Sequence, residues 1–216
     1  MGKAGLMSDM DRYRLVAVLR SKTSEAALAT VEAAAEGGVR FAEITLTVPG
    51  AIGVIETLAK RSDLYVGAGT VLSTEQARQA ISAGAQFVVS PTLELNLMPI
   101  CREAGIACIS GAATPTEIIT ANRAGADLVK IFPADCVGGP NFVRQMMGPL
   151  PDVRFMVSGG VSQENVKEYV ALGVIGVVLG SASLDHQISK GGHDGLVRYV
   201  RNFVKLVDEA RSVSCA

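Results

Sequence analysis

The sequence is poor in the side chains that build metal sites and catalytic triads. Only two histidines occur, His186 and His193, and both fall in a stretch that we predict to be a surface loop near the C-terminal helix. A histidine metal site or a Ser/His triad therefore has little support. The cysteines have neither CxxC spacing nor a His/Cys cluster, which argues against structural zinc and for reduced thiols; they are Cys101, Cys108, Cys136 and Cys215.

Charge and hydropathy argue against two further classes of partner. The formal net charge at pH 7 is −1, and there is neither a basic stripe nor interleaved aromatic residues, so nucleic-acid binding has little support. No apolar run reaches about 18 residues, the length that predicts a membrane-spanning helix, and the first ten residues lack the core of a signal peptide. We therefore expect a soluble, cytoplasmic protein that binds neither nucleic acid nor a membrane.

Glycine, in contrast, is abundant and regularly placed. There are 23 glycines, and several stand where a helix would end and a strand begin, because glycine readily takes the left-handed conformation that ends a helix. These junctions lie at Gly37-Gly38, Gly84, Gly105, Gly125 and Gly173. Helix starts are predicted at Ser24, at Ser73 or Thr74, at Thr114-Pro115 and at Ser162.

Eight apolar runs alternate with these helices. The chain has 216 residues, 49% of them hydrophobic, which suits one domain with a large core. Eight parallel strands close a barrel. We therefore predict a single (β/α)8 TIM barrel over residues 1–216, with residues 1–12 as an N-terminal extension or helix. The predicted strands span residues 15–20, 40–47, 64–70, 86–90, 106–110, 127–132, 153–157 and 174–179.

Lys130 lies inside one of these apolar runs, where a charge is costly. Burying an unpaired ammonium costs roughly 2–7 kcal/mol. Desolvation disfavours the charged form of a lysine, and a neutral amine can attack a ketone to form a Schiff base. The alternative is a structural ion pair with a nearby carboxylate.

Glu43 is the matching carboxylate. In the segment from Phe41 to Thr47, Glu43 alternates with apolar residues, so it points inward together with Thr45 and Thr47 if the apolar face meets the helices. The same alternation places Lys130 inside the barrel. We predict that the two charges meet and that Glu43 acts as a general acid/base, although a mutually neutralising pair would have the same pattern.

Polar and glycine-rich segments follow the third, seventh and eighth predicted strands. Thr70 ends the third strand, and its hydroxyl either caps a helix or holds a substrate carboxylate. The loops after strands seven and eight lead into helices, and their backbone amides form the usual phosphate site of this fold. These two loops contain Ser158-Gly159-Gly160 and Gly180-Ser181.

The segments AEITLT, VGAGTVL, VVSP, VKIFPA, VSGGVS and VLGSA, in this order, resemble the 2-keto-3-deoxy-6-phosphogluconate (KDPG) and 4-hydroxy-2-oxoglutarate (KHG) aldolases, including the 2-keto-3-deoxy-6-phosphogalactonate aldolases. The resemblance implies a metal-independent class I aldolase without a cofactor, assembled as a homotrimer. It implies that Lys130 forms the Schiff base with pyruvate and that Glu43 is the acid/base. The other residues that it implies bind substrate: Thr70 the pyruvyl carboxylate, Pro91 and Phe132 the pocket walls, and Gly159, Gly160, Gly180 and Ser181 the phosphate.

One position departs from the phosphogluconate pattern. Those enzymes have an arginine that pairs with the substrate carboxylate where this chain has Thr47, which we still count among the substrate-binding candidates with Ser158. Arg20 ends the first predicted strand, as in the phosphogalactonate aldolases, and its inward alternation lets it reach the same carboxylate. The epimer cleaved, gluconate or galactonate, therefore stays open.

Two other functions are compatible with parts of the pattern. A sugar-phosphate epimerase or isomerase would use Glu43 as a base but would not need a nucleophilic Lys130. A barrel that binds a phosphorylated ligand without turnover would need neither. The presence of Arg20, Glu43, Thr70 and Lys130 together favours the aldolase, which cleaves the phosphorylated sugar acid to pyruvate and glyceraldehyde 3-phosphate.

Overall fold

Eight parallel strands form a closed barrel in the order of the sequence, with β8 paired to β1. The computed structural model describes residues 2–214. The eight predicted strands are confirmed, each with its ends within a few residues of those expected. The strands are β1 (Leu15–Leu19), β2 (Phe41–Thr45), β3 (Tyr65–Gly69), β4 (Phe87–Val89), β5 (Ala107–Ala112), β6 (Leu128–Ile131), β7 (Phe155–Val157) and β8 (Gly176–Leu179).

Helices precede the first strand and follow each of the eight. A short 3-10 turn at Asp135–Val137 adds to them after β6. The α-helices are α1 (Lys3–Tyr13), α2 (Ser24–Glu36), α3 (Ala51–Leu58), α4 (Thr74–Ser82), α5 (Leu97–Glu103), α6 (Pro115–Ala124), α7 (Gly139–Met147), α8 (Val166–Ala171) and α9 (Ser181–Ser214).

Side-chain caps explain where several helices begin. Thr114 accepts a hydrogen bond from the Glu117 backbone, Glu117 bonds back to Thr114, and Pro115 occupies the first turn of α6. The start predicted at Ser162 is wrong, since α8 begins only at Val166. The cause is a local turn, in which the Asn165 side chain accepts from the Ser162 amide at 2.9 Å.

The glycine junctions have the conformation that the sequence indicates. Gly38, Gly84, Gly105, Gly125 and Gly173 all have positive φ, between 68° and 109°. Each follows a helix and turns the chain into the next strand, because a side chain would be strained there.

The interior of the barrel is packed rather than open. Inward-facing side chains from several strands join residues of α1 in one buried cluster. Leu6, Met7 and Met10 of α1 belong to it, and the Phe41 and Tyr65 rings stack at 4.7 Å between centroids. Helix α1 therefore closes the amino-terminal end of the barrel.

The two histidines do not lie in a loop, and this prediction is wrong. Both lie in α9, which consists of two helical segments that meet at a break at Gly192 (φ 59°, ψ −158°); His186 lies in the first segment, and His193 directly follows the break. The break is confined to Gly192, and the neighbouring Gly191 keeps helical geometry. Both side chains are exposed, as predicted.

The described residues contain no cluster suited to a metal ion and no disulfide bond. Within residues 2–214, no group of three or more His, Cys, Asp or Glu side chains could hold a metal ion. Cys101, Cys108 and Cys136 are free thiols, and Cys215 lies outside the described residues.

No helix among these residues combines the length and apolar character needed to cross a membrane.

Candidate active site

A lysine and a glutamate from opposite sides of the barrel meet in its interior. Lys130 projects from the middle of β6 and Glu43 from the middle of β2. The Lys130 Nζ lies 3.6 Å from the Glu43 Oε1, and the two side chains are only 6% and 1% exposed. The inward alternation predicted for both strands is therefore confirmed, and it brings a nucleophile type and an acid–base type into contact distance.

Lys130 and Glu43 do not form a tight, hydrogen-bonded ion pair. A separation of 3.6 Å exceeds the 2.7–2.9 Å of a tight charge-assisted hydrogen bond. The second carboxylate oxygen of Glu43, Oε2, is buried and has no hydrogen-bond partner among the described residues. A buried acceptor without a partner is uncommon in folded proteins and requires an explanation. The Glu43 Oε2 can therefore accept a hydrogen bond from a molecule bound in the barrel.

Two glycines of β3 make room for this arrangement, a role that the sequence alone did not reveal. Gly67 and Gly69 share the inward face of the strand with Tyr65. A Cβ at Gly67 would overlap the Phe87 ring, and a Cβ at Gly69 would overlap the Glu43 carboxylate. The repeated glycine in VGAG is the signal for such close approach.

Arg20 and Thr70 meet at the mouth of the barrel. The Arg20 Nη2 donates to the Thr70 Oγ1 at 3.3 Å. Thr70 has a positive φ of 57°, an unusual conformation for threonine, which turns it out of β3 toward the cavity. Within residues 2–214 the Arg20 guanidinium has no carboxylate within 4.0 Å. It therefore presents an uncompensated positive charge to the cavity.

The loops after β7 and β8 lie side by side at the same mouth. Gly159 and Gly160 have φ of 93° and 68°, and a Cβ at Gly160 would overlap the side chain of Asp135. Helix α9 starts directly at Ser181, so its first amides are free to bind an anion. The contact between Asp135 and this loop is a feature that the sequence analysis missed.

These residues enclose a cavity of about 370 Å³. All of the predicted site residues line it except Thr47, which is exposed and forms a 2.8 Å hydrogen bond with Thr45 instead. Apolar and hydroxyl side chains that were not predicted complete the wall. The lining residues are Val18, Arg20, Glu43, Thr70, Pro91, Lys130, Phe132, Ser158, Gly159, Gly160, Val161, Val178, Gly180, Ser181, Ala182 and Ser183.

A larger cavity of about 570 Å³ lies at the opposite end of the barrel. Its wall includes Asp9, Arg40 and Tyr65, and the Tyr65 hydroxyl donates to Asp9 at 2.6 Å. Burial and this carboxylate raise the pKa of Tyr65 to about 12, so the phenol stays protonated. Size alone does not identify a site, and we assign the candidate active site to the cavity that contains the buried charges.

Comparisons with known proteins agree with this geometry. The family model for KDPG and KHG aldolase matches residues 6–198. A 2-dehydro-3-deoxy-phosphogluconate aldolase of Treponema pallidum is 38% identical over 163 residues, covering 75% of this chain and 78% of that protein.

Two solved structures have the same fold. The KDPG aldolase of Legionella pneumophila, with pyruvate captured as a covalent carbinolamine, has a TM-score of 0.82 and 29% identity, covering 90% of this chain and 96% of that one. A native KDPGal structure has a TM-score of 0.81 and 32% identity, covering 92% and 96%. The buried lysine–glutamate pair, the closed barrel and the family match together lead to one conclusion: the chain belongs to the KDPG and KHG aldolase family.

Proposed function

We propose that this protein is a class I aldolase that reversibly cleaves 2-dehydro-3-deoxy-6-phosphogluconate to pyruvate and glyceraldehyde 3-phosphate. The observation that carries the proposal is the buried Lys130 amine, 3.6 Å from the Glu43 carboxylate and open to a cavity of about 370 Å³. A buried amine with a proton acceptor beside it is what Schiff-base formation requires.

The reaction begins when the Lys130 nitrogen attacks the C2 ketone and water leaves, forming an imine. The hydroxyl at C4 then loses its proton, the C3–C4 bond breaks, and its electron pair moves into an enamine while the aldehyde departs. A proton returns to C3, and water hydrolyses the imine to release pyruvate. Glu43 transfers these protons through its Oε2, which has no hydrogen-bond partner among the described residues.

The charged ends of the substrate match the two sides of the cavity mouth. Arg20 and Thr70, already joined by a 3.3 Å hydrogen bond, bind the pyruvyl carboxylate. The amides and hydroxyl at Gly159, Gly160, Gly180 and Ser181 bind the phosphate. Pro91, Phe132 and Ser158 shape the wall between them, and the Lys130 Nζ lies 5.5 Å from the centre of the Phe132 ring.

Borohydride trapping tests the proposal. Incubation with pyruvate and borohydride, followed by intact mass measurement, should add one reduced pyruvyl group to the protein. Lys130→Met should abolish both trapping and cleavage, because methionine retains the volume of the stem but has no amine. The variant leaves the buried Glu43 carboxylate without its partner, so circular dichroism should accompany the assay to show that the barrel is folded. Lys60→Met, at the opposite end of the barrel, is the matched control and should trap normally. Cleavage by Lys130→Met would refute the assignment.

A second candidate is the galactonate epimer of the same substrate. The presence of Arg20 at the cavity, with Thr47 outside its lining, favours this alternative. The ratio of kcat/KM for the two epimers decides between them, and 4-hydroxy-2-oxoglutarate is the third substrate to compare. An epimerase or isomerase would convert sugar phosphates without trapping pyruvate. The homotrimer and the cytoplasmic location stay predictions from the sequence.

A further inference from the structure

A chain of threonine hydroxyls lies beside the cavity without lining it. Thr45 is fully buried and lies on the inward face of β2, two residues after Glu43. Its Oγ1 lies 2.8 Å from the backbone carbonyl oxygen of Leu19 and 2.8 Å from the Oγ1 of Thr47. Neither threonine has a part in the aldol chemistry proposed above.

The direction of these hydrogen bonds follows from proton counting. A hydroxyl has a single proton to donate, and a carbonyl oxygen can only accept. The Thr45 proton therefore goes to the Leu19 carbonyl oxygen, which leaves Thr45 as the acceptor of the Thr47 proton. The chain runs from Thr47 through Thr45 to Leu19, and each member orients the next.

The carbonyl at the end of this chain belongs to the peptide bond that precedes Arg20. The paired register of β1 with β2 ends at Leu19 and Ile44, so Arg20 is the first residue beyond it. Fixing the Leu19 carbonyl fixes the plane of the peptide that contains the Arg20 nitrogen, because a peptide bond is planar. At the other end of the Arg20 side chain, Nη2 donates a hydrogen bond to the Thr70 Oγ1 at 3.3 Å.

We propose that Thr45 is a positioning residue for Arg20 and that Thr47 orients the Thr45 hydroxyl for this purpose. The proposal rests on the proposed function, in which Arg20 binds the pyruvyl carboxylate. Thr47 stands at the position for which the sequence analysis expected a substrate contact, and it acts on the substrate only through the strand that carries Arg20. Pre-organising the guanidinium lowers the ordering cost of binding a carboxylate.

The test is Thr45→Val, which removes the hydroxyl and keeps the branched shape. The KM for pyruvate should rise by about 2- to 12-fold, the range of one ordinary hydrogen bond, with kcat and the KM for the phosphorylated aldehyde unchanged. Thr45→Ser retains the hydroxyl and should restore the wild-type KM. Thr47→Val, at an exposed position, should raise the same KM to a smaller extent and carries the test if Thr45→Val does not fold.

Thr30→Val is the matched control. Thr30 is also a buried threonine whose hydroxyl donates to a backbone carbonyl, that of Ala26 at 2.8 Å, but it lies in α2 away from the cavity. This variant should leave both KM values at the wild-type level. A rise in the pyruvate KM of the control would refute the inference, because loss of a buried threonine hydroxyl at any position would then be sufficient.

A double-mutant cycle separates positioning from general structural damage. In an Arg20→Ala background, Thr45→Val should produce no further rise in the pyruvate KM, because the residue it positions is gone. An equal rise in both backgrounds would overturn the inference, and so would a pyruvate KM unaffected by either threonine variant. If wild-type protein traps no pyruvate with borohydride, the proposed function itself fails, which is a different result.

Discussion

Gly69→Ala would place a methyl group against the buried acid–base pair without altering either charged residue. Gly69 lies on the inward face of β3, beside Thr45 in the register with β2. Its φ is not in the left-handed region, so alanine fits the backbone without strain. The added Cβ would, however, overlap Oε1 of Glu43. The perturbation is therefore steric and directed at one carboxylate.

The size of the effect follows from the overlap. Non-bonded heavy atoms lie at about 3.5–4.0 Å when in favourable contact, so the Glu43 carboxylate has to move by about 1 Å or more. A misplacement of about 1 Å can reduce a catalytic rate by about 10²-fold. The three atoms nearest to the new methyl group all belong to Glu43, so the displacement acts first on the carboxylate. Proton transfer should therefore slow by about 10²-fold, while imine formation persists.

Two measurements separate these steps. Deuterium exchange at the pyruvate methyl, followed by NMR in D2O, reports proton transfer, and borohydride trapping reports imine formation. Gly53→Ala in α3 is the control, because a Cβ there meets no atom within 4 Å. The control should exchange at the wild-type rate and gain about 1 kcal/mol of stability from better helix propensity. Wild-type exchange in Gly69→Ala would refute the assignment of Glu43 as the base.

Three further predictions concern two charged residues of the site and one helix start. Glu43→Gln should slow exchange at the pyruvate methyl by about 10²-fold or more, the usual scale of a general acid or base, as NMR would measure. Arg20→Ala should raise the KM for pyruvate by about 10- to 150-fold, since a hydrogen bond to a charged group contributes roughly 1.5–3 kcal/mol; steady-state kinetics showing no change would make Arg20 a structural residue. Hydrogen bonds from the Ala113 backbone and the Thr114 side chain lower the pKa of Glu117 from 4.5. The ionised Glu117 therefore stabilises the fold above pH 4.5, and this stabilisation is lost as the pH falls through the lowered pKa. Thr114→Ala should cost about 1 kcal/mol in urea unfolding at pH 7, and Glu117→Gln should flatten the stability profile below pH 4.5; an unaltered profile would contradict this account.

The sequence was sufficient to predict the meeting of Lys130 and Glu43. Strand side chains alternate with a period of two, and a closed parallel barrel has one interior, so two inward charges in the middle of their strands share that interior. The same alternation predicted that Arg20 points inward, and Arg20 lines the cavity. The prediction for Lys130 and Glu43 held because both residues lie within regular strands.

Alternation failed where the strand ended. Thr47 was expected to point inward with Glu43 and Thr45, but β2 ends at Thr45 and a turn follows. A period of two has no meaning in a turn, so Thr47 is exposed and its hydroxyl meets Thr45 rather than the cavity. Strand ends are set by backbone pairing with neighbours, and one sequence alone does not give that pairing.

Contacts between segments that are far apart in the chain could not be predicted from the sequence either. The overlap that reserves position 69 for glycine depends on the side chain of Glu43, 26 residues earlier. The same holds for Asp135, which packs on Gly160. Glycine in a strand signals that something approaches closely, but only the folded barrel identifies what does.

The closure of the barrel by α1 determines how molecules enter and leave. Leu6, Met7 and Met10 fill the amino-terminal end of the barrel, and the inward-facing strand residues next to them are packed, so the barrel is closed at this end. Among the described residues, the cavity that contains Lys130 is lined by Arg20 and Ser181 at the carboxyl-terminal end of the strands, so ligands reach the amine from that side. In the proposed reaction, the aldehyde departs on this side while the pyruvyl group is still covalently attached to Lys130. Pyruvate leaves only after hydrolysis of the imine, so a closed amino-terminal end requires both products and the hydrolytic water to use the same side of the barrel.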